Sequence, residues 1–137
     1  MHAVVDSSCW VAVALEEPGW KTVVRNLSRY ELAAAPLLEA ELAAALKREA
    51  VDADRRALLA GLAWLLPDRP LGPELDRIYE VGYLRGADAW HLAHALWVAP
   101  DARDLAFLTL DEPQRAVARA LGFTAPDLAR RSTAGRP

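Results

Sequence analysis

Four acidic residues stand where their side chains could do chemistry together. Asp6 directly follows the apolar run 3–5, and Asp111 directly follows the apolar run 105–110. Asp88 opens a strongly apolar stretch, and Glu41 lies in the middle of another. Carboxylates that meet at one site repel each other, and a hard divalent cation removes that conflict. Oxygen ligands suit Mg²⁺ or Mn²⁺, which activate water for displacement at phosphorus.

Each of these acids also has an ordinary structural interpretation. Asp6 and Asp111 each precede a predicted helix, where an N-cap contributes about 1 kcal/mol. Gln114 stands where a capping box would have its partner for Asp111. Asp88, in a first helical turn, suits the helix dipole. Taken one at a time, Asp6 and Asp111 are therefore best interpreted as helix caps, whereas for Asp88 the structural and functional interpretations are evenly balanced.

Glu41 is the acid that capping does not explain. It lies in mid-helix, and the residues one turn away are apolar and offer no ion pair: Leu37, Leu38, Ala44 and Ala45. A carboxylate on such a face needs a partner from elsewhere. Glu39 points to a different face and is predicted to be an ordinary surface acid.

Short apolar runs alternate with helical patterns along the chain. We predict strands at 2–5, 32–35 and 105–110, less clear strands at 65–66 and 123–128, and helices at 7–16, 19–30, 36–51, 54–65, 73–84, 87–98 and 112–121. This alternation predicts an α/β fold in which helices cover both faces of a parallel sheet. The working site of such a fold lies at the carboxyl ends of its strands, where Asp6 and Asp111 stand.

The composition narrows the class of protein. The chain has 137 residues, of which 53% are hydrophobic and 26% charged, so we expect one folded domain rather than a disordered chain. A net charge of −3 argues against a protein that coats nucleic acid by bulk charge. No apolar run is long enough to span a bilayer, and the first residues make a poor signal peptide. The single cysteine, Cys9, is expected to fill core, which fits a reducing cytoplasm.

Four blocks of sequence surround the four acids: VVDSSCWVAV around Asp6, LLEAELAAAL around Glu41, RGADAWHLAHAL around Asp88 and FLTLDEPQRAVARALGF around Asp111. Together these blocks resemble the PIN-domain family, specifically the VapC-like toxin ribonucleases of type II toxin–antitoxin systems. The blocks occur in the family's order and cover nearly the whole chain. Thr109 matches the threonine of the family's last motif, and Ser7 or Ser8 matches its hydroxyl after the first Asp.

The resemblance implies both a fold and an activity. The fold would be an α/β/α sandwich with a mostly parallel sheet of four to five short strands over residues 1–128, followed by a frayed tail, 129–137. The activity would be metal-dependent cleavage of RNA that leaves a 5′-phosphate. Asp6, Glu41, Asp88 and Asp111 would hold the Mg²⁺ or Mn²⁺. The implied partners are an RNA substrate, a VapB-like antitoxin and a second copy of the chain.

The first departure from that family pattern is a pair of histidines. His91 and His94 follow Asp88 where many relatives have other residues. Asp88 with His91 could bind a transition metal, but packing or surface histidines are the preferred interpretation. Trp90 and Trp97 lie on one face and are predicted to belong to the core or a dimer interface.

The chain is also poor in lysine, with only Lys21 and Lys47. RNA contacts would therefore come mainly from arginines, with Arg48, Arg85 and Arg103 as unranked candidates. Arg55 and Arg56 are expected on a solvated face, although such a patch could touch RNA.

Rival functions remain open at this point. The fold could serve as a non-catalytic interaction module, although such a module gains nothing from Glu41 on an apolar face. It could also be a housekeeping PIN nuclease without an antitoxin. A phosphotransferase with Asp6 as nucleophile would normally have a second acid where Ser8 stands.

Overall fold

A computed structural model describes residues 1–130 of the chain. These residues form four strands and seven α-helices in the order β1 (His2–Val5), α1 (Ser7–Ala14), α2 (Trp20–Leu27), β2 (Glu31–Ala34), α3 (Leu37–Arg48), α4 (Arg55–Leu59), β3 (Ala63–Trp64), α5 (Gly72–Val81), α6 (Gly86–Val98), β4 (Ala106–Leu108) and α7 (Glu112–Leu121). A short 3₁₀ turn, Ala102–Asp104, precedes β4. Within the described residues no helix is long and apolar enough to cross a lipid bilayer.

The four strands form one parallel sheet in the order β3-β2-β1-β4. The chain moves from β1 through β2 to β3 in one direction, and then returns to add β4 on the other side of β1. The order therefore reverses between β1 and β4, which is where open α/β sheets form their ligand sites.

The two faces of the sheet carry two separate cores, as period-two alternation requires. Val4 and Phe107 pack on the side of α5, α6 and α7, whereas Val5 and Leu108 pack on the side of α1 and α3. Cys9 is buried in the second core as expected. The predicted α/β/α sandwich with a mostly parallel sheet of four to five short strands is confirmed, and the four strands of the described residues are all parallel.

Most predicted elements occur within a few residues of their expected bounds, but one helix and two strands differ from the prediction. The helix expected at 54–65 ends at Leu59, and the strand expected from Leu65 lies at Ala63–Trp64 instead. Gly61, which disfavours helix, separates the two. The strand expected at 123–128 is reduced to a single bridge between Thr124 and Ala106. Pro126 in that segment has no N–H to donate to a ladder. Of the tail predicted to fray, residues 131–137 lie outside the described part.

Candidate active site

The carboxylates predicted to form a site gather around the carboxyl ends of β1 and β4. Asp6 follows β1 directly, and its N–H donates to the Leu108 carbonyl at 3.1 Å, which extends the β1–β4 ladder to the strand ends. Asp111 stands three residues beyond β4 and caps α7. α3 contributes Glu41, and the first turn of α6 contributes Asp88. The reversal of strand order therefore coincides with the acidic positions.

Asp6 occupies the N-cap position of α1 but does not cap it. Its side chain accepts no cap hydrogen bond from the helix, and it is only 2% exposed. Instead, Ser8 Oγ donates to Asp6 Oδ1 at 2.6 Å. Burial raises the pKa of Asp6 to about 6, although the Ser8 hydrogen bond and the nearby His91 act in the opposite direction. The capping interpretation of Asp6 is therefore wrong, and its carboxylate is held in a desolvated position without a structural cap to justify it.

Asp111, by contrast, is a true cap. Its Oδ1 accepts from the Gln114 N–H at 2.9 Å. The reciprocal half of the capping box is absent among the described residues, because Thr109 Oγ1 accepts from the Asp111 N–H at 3.0 Å instead of Gln114 doing so. Capping and a functional role are compatible here, since the other carboxylate oxygen of Asp111 is not used by this cap.

Glu41 has the partner that its own helix cannot supply. His91, on α6, places Nε2 2.5 Å from Glu41 Oε1, and Ser7 Oγ donates to the same oxygen at 3.0 Å. His91 is buried while Glu41 is half-buried. The hydrogen bond from His91 lowers the pKa of Glu41. Glu39 pairs with Arg55 at 2.8 Å on the surface, as expected of an ordinary surface acid.

Asp88 interacts electrostatically with each of the other three acids. Burial raises its pKa first, and the negative charges of Asp111 and Glu41 raise it further. His91 and Arg85 oppose that shift. Asp88 also contributes to the raised pKa of Asp6. These effects indicate that Asp6, Glu41 and Asp111 each lie within electrostatic reach of Asp88.

A buried polar network connects the strand ends to the helices that carry the acids. Thr109 Oγ1 donates to Gln114 Oε1 at 2.7 Å, and Gln114 Nε2 donates to the Asp88 carbonyl at 3.0 Å. Ser8 Oγ accepts from the Leu110 N–H at 2.9 Å and approaches Thr109 Oγ1 at 3.4 Å. Thr109 and Gln114 are both fully buried. One network therefore fixes the loop after β4 relative to α1, α6 and α7.

Two of the four acids open onto a shared cleft. Asp88 and Asp111 line a cavity of about 340 Å³ together with Tyr83, Leu84, Arg85 and Pro113. Asp6 is buried and does not line this cleft, and Glu41 is held by His91 and Ser7. The cleft is where a substrate could reach the acidic residues from solvent.

The donor set suits a hard divalent cation in its chemistry. It consists of carboxylates and hydroxyls. Burial is the main cause of the raised pKa values of Asp6 and Asp88, and neighbouring carboxylates add to both shifts. In residues 1–130, however, no three His, Cys, Asp or Glu side chains are grouped closely enough to hold a metal ion. The residues thus fit a cation by type, while Asp6 and Glu41 are turned toward protein partners.

The remaining sequence candidates fall into structural roles. His94 Nδ1 lies 2.8 Å from the Trp90 carbonyl, and its ring meets the Trp90 ring edge-on at 4.8 Å. Trp90 and Trp97 pack against the core on their side of the sheet, as predicted for these residues. Arg48 and Arg103 form exposed ion pairs with Glu49 and Asp101, and among the arginines singled out only Arg85 lines the cleft.

Sequence reasoning missed three residues of this region. It treated His91 as packing, yet the unpartnered Glu41 on the facing helix was a signal that a cation or donor had to approach it. Gln114 was read only as a cap partner. Tyr83, in the loop before α6, carried no signal beyond its being an aromatic residue close to Asp88 in sequence.

A protein-family comparison agrees with the fold. The model of the PIN domain matches residues 3–120, so the chain belongs to the PIN domain family. PIN domains are generally nucleases, which places the chain in a class of hydrolases that act on nucleic acid. No curated protein and no solved structure matches the chain significantly.

Proposed function

We propose that this PIN domain is a metal-dependent endoribonuclease of the cytoplasm that acts as the toxin of a toxin–antitoxin pair. The observation that carries the proposal is the placement of Asp6, Glu41, Asp88 and Asp111 at one end of the sheet, with Asp88 and Asp111 facing a common cleft. Capping accounts for Asp111 and fails for Asp6, so structural roles do not account for the set. The reaction is hydrolysis of an RNA phosphodiester bond by activated water.

In this proposal Asp6, Glu41, Asp88 and Asp111 hold Mg²⁺ or Mn²⁺. The bound cation supplies activation of water and neutralises charge at the phosphate. Ser8 orients Asp6, and Ser7 with His91 orients Glu41. Thr109 fixes the loop that carries Asp111 by accepting from its backbone N–H. The chain thus supplies both the ligands and the hydroxyls that position them.

Arg85 is the arginine that we assign to the RNA phosphate. It lines the cleft beside Asp88, whereas Arg48 and Arg103 lie in ion pairs with their own neighbours. A guanidinium at the mouth of an acidic cleft offsets the repulsion between carboxylates and a polyanionic substrate. A single local cation is compatible with the net charge of −3.

The test is cleavage of total RNA by purified protein in Mg²⁺ or Mn²⁺, with and without EDTA. We expect activity that EDTA abolishes and that Asp88→Asn and Asp111→Asn reduce at least a hundredfold. Asp76→Asn, which changes an exposed carboxylate on α5, is the matched control and should cleave like the wild type. Cleavage that survives EDTA, or that survives Asp88→Asn, contradicts the mechanism.

The toxin assignment and its partners rest on the resemblance to VapC-like sequences. A small neighbouring reading frame whose product co-purifies with this chain and inhibits its RNase activity would support the antitoxin. Absence of such a neighbour favours a housekeeping nuclease. The proposed homodimer is tested by measuring the mass of the purified protein in solution.

A non-catalytic interaction module is the second candidate. It is favoured by one observation: within the described residues no three potential ligands are grouped, and Asp6 and Glu41 already have protein partners. Calorimetric titration with Mn²⁺ distinguishes the two functions. Saturable binding that Asp6→Asn weakens supports the nuclease, and no binding by the wild type supports the module.

A further inference from the structure

The loop between α5 and α6 presents an aromatic side chain at the mouth of the acidic cleft. Tyr83 lines that cleft with Asp88 and Asp111, yet the residue is 80% exposed. A large aromatic ring that remains so exposed contributes little to the core. Its position therefore calls for an explanation other than folding.

The backbone of this loop is held firmly on both sides of Tyr83. Leu84 is buried, and its carbonyl accepts a hydrogen bond from Tyr79 Oη at 2.9 Å. Gly82 passes so close to α7 that a Cβ there would lie 3.0 Å from Val117 Cγ2. A side chain at this position would require Val117 to shift. The loop is thus packed against α5 and α7 on both sides of Tyr83.

The ring of Tyr83 is also supported from one side. The Tyr79 and Tyr83 rings lie 6.4 Å apart between centroids with an angle of 50° between their planes, which is a favourable tilted arrangement. A braced ring loses less side-chain entropy when a flat ligand packs against its other side. An unpaired nucleobase is such a ligand, and base–aromatic stacking tolerates any base.

We propose that Tyr83 is a base-stacking residue that, together with Arg85, positions a single-stranded segment of RNA across the Asp88–Asp111 cleft. The base next to the target phosphate stacks on the Tyr83 ring while Arg85 contacts the backbone. This deepens the proposed function, on which it rests, by naming the residue that holds the base beside the target phosphate. A base held in a duplex cannot stack on the ring, so paired regions are excluded as substrates.

The direct test is binding of a labelled single-stranded RNA of mixed sequence, followed by fluorescence anisotropy in EDTA so that the strand stays intact. A counterpart of the same length with abasic sugars measures what the bases contribute. We expect wild type to prefer the base-containing strand, Tyr83→Phe to keep that preference, and Tyr83→Leu to lose affinity roughly tenfold for this strand only.

Val98→Ala is the matched surface control. Val98 is an exposed apolar residue at the far end of α6, ten residues from Asp88, or about 15 Å along the helix axis. The Val98→Ala substitution should change the affinity neither for the base-containing strand nor for the abasic strand. In cleavage assays with Mg²⁺, Tyr83→Leu should raise KM about tenfold and leave kcat within about twofold, because the ring binds a base and does not touch the reacting phosphate.

The outcomes separate this inference from the function on which it rests. If wild type binds and cleaves RNA but Tyr83→Leu keeps the preference for bases, the stacking role is overturned while the nuclease stands. If wild type neither binds nor cleaves RNA, both are overturned. If Tyr83→Leu instead changes the mass of the protein in solution and not its RNA affinity, Tyr83 belongs to an interface between copies, which also overturns the stacking role.

Discussion

His91 Nε2 and Glu41 Oε1 lie 2.5 Å apart, although their residues are separated by 50 positions in sequence. The contact joins α6 to α3 over the carboxyl end of the sheet, and α3 and α6 belong to opposite layers. A buried imidazole therefore holds the acid that has no partner on its own helix. The pair connects the two layers of the sandwich at the candidate site.

A double-mutant cycle on His91→Leu and Glu41→Ala measures the strength of this contact. Hydrogen bonds to charged groups contribute about 1.5–3 kcal/mol, so we expect a coupling free energy of that size in urea unfolding. The exposed pair His2–Glu31, at 3.1 Å, is the matched control and should give less than about 1 kcal/mol. A buried coupling no larger than the exposed one would show that the contact does not stabilise the fold.

Ser7 and Ser8 should differ in importance despite their adjacency. Ser8 donates to Asp6 and accepts from the Leu110 N–H, so it links the end of β1 to the end of β4. Within residues 1–130 the Ser7 side chain makes one hydrogen bond, to Glu41. Removing Ser8 leaves a buried carboxylate and a backbone donor without this partner, which costs about 1–3 kcal/mol.

Urea unfolding of Ser8→Ala and Ser7→Ala tests this order. We expect Ser8→Ala to lose more stability and more RNA cleavage than Ser7→Ala. Ser28→Ala, whose hydroxyl bonds the Arg25 carbonyl on the exposed end of α2, controls for loss of a serine hydroxyl. Equal losses at Ser7 and Ser8 would contradict the bridging role of Ser8.

The order of elements and the acidic positions followed from local sequence, and the connections between them did not. Apolar runs ending in Asp6 and Asp111 mark strand ends because a buried strand has a simple pattern. The spacing around Glu41 shows that it lacks a partner but not that His91 is that partner, because this depends on how α3 and α6 approach across the sheet. The short β3 begins two residues before its predicted position at Leu65, because two residues carry too little periodicity to define a strand.

Helix caps are also not predictable from local sequence alone. Asp6 and Asp111 have nearly the same sequence context, each following an apolar run and preceding a helix. Only Asp111 caps its helix, because Ser8 approaches the Asp6 carboxylate while the Gln114 N–H approaches that of Asp111. Tertiary hydrogen bonds made the distinction, and no local pattern contains them.

Gln114 is expected to position both Asp88 and Asp111. Gln114→Glu keeps its shape and the acceptor for Thr109 but replaces the Nε2 donor with an oxygen that faces the Asp88 carbonyl. We expect a loss of about 1–3 kcal/mol in the free energy of unfolding, together with lower RNA cleavage. Glu112→Gln, an exposed change in the same helix, should alter stability by only a few tenths of a kcal/mol, roughly. If Gln114→Glu is as stable as the wild type, Gln114 does not position Asp88 and Asp111.

Asp6→Asn should stabilise the metal-free protein at neutral pH and not in acid. The pKa of Asp6 is raised from 3.8 to about 6 by burial, so the folded state binds the proton more tightly than the unfolded chain. The free energy of unfolding contributed by this group therefore falls as pH rises from about 4 to 6, by about 3 kcal/mol at 1.4 kcal/mol per pKa unit, and is constant above that range. Asparagine cannot ionise, so the difference in stability between variant and wild type should grow over that window and favour the variant at pH 7.

Urea unfolding in EDTA between about pH 4 and 6 measures this difference in stability, with Asp76→Asn as the exposed control whose difference stays flat. Saturating Mn²⁺ should reverse the sign at pH 7, because a cation that binds the ionised carboxylate stabilises only the wild type in this way. A flat difference for Asp6→Asn would show that this carboxylate is not desolvated in the folded protein.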